Sequence, residues 1–168
     1  MNAQQPHYLL FSQIRQPTHE SREGVWRFVL EAADGGTRFE VSDREPNVTG
    51  DRLALLAVIR GLEALDQPSV VSLRTTSRYV ARGFRFGLPA WRENNWCWES
   101  FGAMRRVDND DLWRKIDQAL RYHRVGCRRW RPVDSSPKSP SESWHSTKGI
   151  VATPTHRLPT DRLQGMVD

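Results

Sequence analysis

Apolar positions recur with different periods along this chain, and each change of period marks an element. HYLLFSQI, residues 7–14, alternates weakly and is rich in aromatic and aliphatic side chains, which predicts a first strand. After a loop, RQPTHESRE, two alternating runs flank Asp34-Gly35-Gly36, a turn whose glycines accept positive φ. Strands are therefore expected over residues 25–32 and 37–42. The period then lengthens. In TGDRLALLAVIRGLEALDQP, Leu55, Leu56, Ile59, Leu62 and Leu65 fall on one helix face, Thr49 or Asp51 can cap the start, and Pro68 stops it. SVVSLR is a short apolar run that suits a buried fourth strand. SRYVARG reads as a short helix, capped by Thr76 or Ser77 and ended by Gly83. FRFGLPAWRENNWCWES has no clean period and predicts a broken helix and loop. NDDLWRKIDQALRYHR returns to helix, with Leu112, Ile116 and Leu120 on one face and acids at the N-terminus, and VGCRRWRP is a fifth, weaker strand. The order β β β α β α α β predicts an α/β fold: a mixed five-stranded sheet with helices packed on it.

Composition divides the chain. Hydrophobic residues make up 38% of it, below the globular average. From Pro132 onward, VDSSPKSPSESWHSTKG is dominated by Ser, Pro and charge. A folded domain over residues 1–131 and a Ser/Pro-rich flexible tail over 132–168 are the expected organisation, and in the scaffold alternative the tail with Trp144 is a docking segment for a protein partner. No apolar run approaches the roughly 20 residues that span a bilayer, so no membrane is expected. MNAQQPHYLLF has neither the basic start nor the apolar stretch of a signal peptide, which favours the cytoplasm. Cys97 and Cys127 lie far apart without zinc-ligand spacing and read as reduced thiols.

Charge sharpens the picture. The net charge is +5, but residues 1–73 carry 7 Arg against 10 Asp/Glu, and residues 74–131 carry 14 Lys/Arg against 6. The second segment also holds five of the seven tryptophans. Basic charge interleaved with aromatics is the composition of a surface that meets phosphates and sugars, and equally of a solvated basic face.

Four stretches resemble the type 1 ribonuclease H family. DRLALLAVIRGLEAL resembles its first helix, NRxELxAxxxALxxL; SVVSLRTTSRYVARGF resembles its strand and short helix, xxIxTDSxYVxxGI. LPAWRENNWCWES is similar to its Trp-bearing segment, and NDDLWRKIDQAL to its NxDLWxxLDxAL helix. The resemblance implies an RNase H-like sheet and a nucleic-acid partner, because the family cleaves the RNA strand of RNA/DNA hybrids. It does so with two divalent ions held by carboxylates, since two Mg²⁺ about 4 Å apart need hard anionic ligands. Against the family's pattern, Gln13 in FSQIR stands for the Asp of FTDGS, Ala54 for the helix Glu, and Thr76 for the Asp of TDSxYV. RPVDSSPKSP does not supply the closing GHxGxxxNExxD signature, and KGIVATPTHRLPTD fits it only with an insertion and its Asp out of register. Asp51, Glu20 and Glu23 offer a relocated ligand set, or a helix cap and two solvated glutamates.

The resemblance also implies binding residues. Thr49 matches a phosphate-contacting Thr, or simply caps the helix; Trp91, Arg92 and Trp96 match a WKxxxW pattern lining the DNA backbone, or fill the core. Gly87 stands where the family often has a further Trp, and Arg85, Arg105 and Arg106 can extend a basic track. Alternation along the last strand would put Arg129 and Arg131 on one face near the former metal position. The expected protein is a catalytically inactive reader of RNA/DNA hybrid or double-stranded RNA that needs no cofactor. The alternatives are a Mg²⁺-dependent endoribonuclease acting on hybrids with rearranged ligands, and a protein scaffold.

Overall fold

In a computed structural model, residues 5–131 and the pair 151–152 are described. The rest of the expected tail, including Trp144, lies outside the described residues. The chain forms β1 (His7–Arg15), β2 (Glu23–Ala32), β3 (Arg38–Pro46), α1 (Gly50–Glu63), β4 (Val70–Thr75) and α2 (Arg78–Arg82). A π-helical turn (Gly83–Gly87), α3 (Leu88–Glu93), β5 (Cys97–Ser100), β6 (Ala103–Arg106), α4 (Asp110–Ala119), β7 (Arg124–Arg129) and β8 (Val151–Ala152) follow. β1, β2 and β3 meander antiparallel, whereas β4 runs parallel to β1 and β7 parallel to β4. The expected five strands thus form one mixed sheet, ordered β7-β4-β1-β2-β3, with β8 added at the β3 edge.

One sheet face carries the core. Leu10 lies under α1 so closely that a Cβ on Gly61 would come within 2.4 Å of its side chain. Trp26, Phe28, Leu30, Val71 and Leu73 bury beside it, together with Leu53, Val58 and Ile59 of α1. Full burial of each aliphatic side chain contributes about 1.5–3 kcal/mol. α2 and α4 both pack on α1, so these helices share that face.

Two readings change. β5 and β6 form an antiparallel hairpin where the sequence has no strand period. Its side chains are exposed on both faces, with Phe101 at the tip 103% exposed, so no core imposes alternation. At α1, neither Thr49 nor Asp51 caps: Thr49 makes no side-chain capping bond, and the Gln16 side chain accepts the Gly50 N–H at 2.9 Å. Gly50, at φ +57, turns the chain into the helix.

Candidate nucleic-acid interface

A groove of about 600 Å³ opens between the start of α1 and the α2–α3 segment, lined by Asp51, Arg78, Tyr79, Arg82, Phe86 and Trp91 among others. Its far wall is set by local chemistry. Ser77, not Thr76, caps α2, its hydroxyl accepting the Val80 N–H at 3.2 Å. Tyr79 is fixed by donating its hydroxyl to the Asp108 carbonyl at 2.7 Å and accepting the Trp113 indole N–H at 2.9 Å. Trp113 is fully buried and meets Tyr79, Phe84 and Trp91 at ring distances of 5.7, 5.8 and 5.2 Å. A Cβ on Gly83 would lie 2.2 Å from the Trp113 ring, so only glycine lets the π-helical turn close over it.

Electrostatics favour an anion. Arg78 and Arg82 are exposed, one turn apart on α2, and neither has a hydrogen bond or ion pair among the described residues. Arg85 is exposed and lies over the Phe86 ring at 5.0 Å. Asp51 is the groove's acid, and burial pushes its carboxyl above the usual range.

The residues singled out from sequence separate in space. Thr49 is exposed two residues before Asp51, with its hydroxyl unbonded among the described residues, and it is not one of the residues that line the groove. Trp91 lines the groove, its ring lying where a Gly87 side chain would stand. Arg92 is turned toward α4, where Asp117 pairs with it. Trp96 is buried at 8% exposure and anchors the hairpin, its N–H donating to the Trp91 carbonyl at 2.7 Å and its carbonyl accepting the Val107 N–H at 3.0 Å. Arg129 stands in register with Thr75 and Ser12, on the helix-bearing face, and Arg131 lies past the strand end. Arg129 therefore faces α1, on the side of the sheet opposite to Gln13. Gln13 is one residue on from Ser12, and adjacent strand residues point to opposite faces.

Gln13 shares that opposite face with Arg27, whose guanidinium donates to its side-chain oxygen at 3.4 Å and pairs with Glu40 at 2.5 Å. Ala54 is 3% exposed within α1, and Thr76 is half-buried. Glu23 pairs with Arg44 at 3.2 Å, and Glu20 is exposed in the first loop. Sequence reasoning missed Arg78, Arg82 and Phe86. Their signal was available: SRYVAR spaces two arginines at i and i+4, which is one helix face.

Three antiparallel strands, a parallel extension and helices gathered on one face define an RNase H-like fold. The family profile for RNase H matches residues 17–130, and the chain belongs to the RNase H family. It is 41% identical over 102 residues to a ribonuclease H of Thiobacillus denitrificans, the match covering 61% of this chain and 66% of that relative. Among solved structures, LC9-RNase H1, a type 1 RNase H with the type 2 active-site motif, superposes with TM-score 0.64 at 26% identity, over 79% of this chain and 66% of that one. The foamy viral protease–reverse transcriptase in complex with RNA/DNA hybrid shares the fold, at TM-score 0.57 and 18% identity, over 74% of this chain and 17% of that one.

Proposed function

We propose that this chain is a catalytically silent member of its family that reads duplex nucleic acid, RNA/DNA hybrid or double-stranded RNA, through the α1–α2 groove. The observation that carries the reading is the groove itself: two exposed arginines of α2, unpaired among the described residues, beside Phe86 and Trp91. Guanidinium forks suit phosphate, aromatic faces suit sugar, and a duplex is recognised in such a groove by shape and backbone. Arg92 and Trp96 act indirectly, the first tying α3 to Asp117 and the second holding the base of the hairpin.

The residues at the family's metal positions do not fit a pair of Mg²⁺ ions. Gln13 is neutral and already accepts from Arg27, Thr76 is neutral, and buried Ala54 has no ligand atom. Divalent ions held close together need anionic oxygens, and a guanidinium beside them adds repulsion instead. This supports binding without cleavage and without a metal cofactor.

The test is a titration of the full chain against RNA/DNA hybrid, double-stranded RNA, double-stranded DNA and single-stranded RNA, at two salt concentrations with Mg²⁺ or Mn²⁺. The probes are then run on a denaturing gel. Salt-sensitive duplex binding with intact probes is the expected result. RNA cut only in the absence of chelator would establish a nuclease with rearranged ligands, as the relatives' names suggest. No binding at moderate salt would leave the scaffold reading.

A further inference from the structure

Two arginines stand side by side on the sheet face turned away from α1. In the parallel pair β4–β7, Arg74 is opposite Arg128, and Phe11 of β1 extends the row. Residues in register on neighbouring strands carry their side chains to one side, so this row points away from Leu10 and α1. Trp130, two residues beyond Arg128, meets the Phe11 ring edge-on at 5.9 Å, which places it on the same side. Like charges directly opposite one another on paired strands repel and cost stability. Other arginines of this sheet are neutralised, Arg27 by Glu40, Arg38 by Glu31 and Arg44 by Glu23. Arg74 and Arg128 have neither a hydrogen bond nor an ion pair among the described residues. The Cys127 thiol, which feels the Arg74 charge, is pushed up to about 12 by burial and stays neutral, so it supplies no counter-charge.

We propose that Arg74 and Arg128 form a metal-independent seat for a backbone phosphate of nucleic acid, walled by Phe11 and Trp130. The proposal rests on the nucleic-acid reading above and adds a second contact outside the groove. Gln13 lies two residues beyond Phe11 in the same alternation, and Thr76 follows directly on the end of β4, two residues beyond Arg74. The seat therefore adjoins the positions at which the family's pattern has metal-binding carboxylates. Two planar guanidinium groups a strand spacing apart can share one phosphate, and a half-buried indole such as Trp130 suits a sugar or base more than an acidic peptide.

The experiment measures hybrid affinity of the full chain across a salt series for wild type, R74Q/R128Q and the groove variant R78Q/R82Q. Melting temperature is followed in inorganic phosphate against NaCl of equal ionic strength. The expected result for R74Q/R128Q is a log–log salt slope shallower by about two, one for each phosphate-facing cation removed. Its melting temperature should be no lower than wild type in NaCl and lose the phosphate-induced rise. An unchanged slope in R74Q/R128Q, with R78Q/R82Q weakened, overturns the seat and leaves the groove reading standing. A lost phosphate response with an unchanged slope marks an adventitious ion only, and also overturns it. Retained hybrid affinity with lost capture of a poly-glutamate peptide overturns it in favour of a protein partner. Absence of hybrid binding by wild type removes both readings.

Discussion

Gly83 shows how much one residue decides. Its missing Cβ lets the π-helical turn lie on Trp113, whose ring would stand 2.2 Å from any added carbon. Gly83→Ala must push the turn or the indole aside, and overpacking of this kind costs about 1–3 kcal/mol. Urea unfolding should show that loss, and an unchanged midpoint would mean that the turn relaxes freely. The same crowding shapes the groove, because Trp113 also holds Tyr79 and Trp91, so Gly83→Ala should weaken duplex binding as well as stability. Trp96 illustrates the opposite outcome of a shared motif. It sits in a pattern that reads equally as contact or as core, and the structure makes it core.

At the level of elements, α1 and α4 are joined at their N-terminal ends by a two-point ion pair. Arg52 donates to both carboxylate oxygens of Asp111, at 3.0 and 2.7 Å. The Arg52 hydrogen bonds hold the Asp111 carboxyl below its usual range. A depressed carboxyl contributes stability above its unfolded value, about 3.9, and loses it as pH falls through the lower folded value. Both side chains are about half exposed, at 44% and 54%, so screening keeps the contribution under about 1 kcal/mol. Asp111→Asn should therefore lower stability slightly at neutral pH and flatten its decline below about pH 4. A pH profile parallel to wild type would show that the pair carries no coupling. The hairpin β5–β6 is the contrasting element: it extends from the fold on backbone bonds at Trp96 and Val107, with Phe101 and Met104 in solvent.

Across the whole molecule, basic charge is concentrated in residues 74–131, and the proposed binding depends on where it is left unpaired among the described residues. If the attraction were only net charge, any two arginines would serve. Neutralising Arg38 and Arg44, which pair with Glu31 and Glu23, should leave hybrid affinity and its salt slope unchanged. R78Q/R82Q should make the slope shallower by about two. Equal effects from both variants would reduce the groove to diffuse electrostatics. Local sequence was sufficient for β1 to β4, α1, α4 and the family, because periodicity, caps and turn residues act over a few positions. The sequence alone did not separate Trp91 in the groove from Trp96 in the core, or Arg92 held by Asp117 from Arg78 and Arg82, which have no partner among the described residues. Nor did it show that Arg129 shares the helix face while Arg74 and Arg128 meet across β4–β7. Those distinctions depend on strand register and helix packing between residues distant in the chain, and only the tertiary structure supplies them.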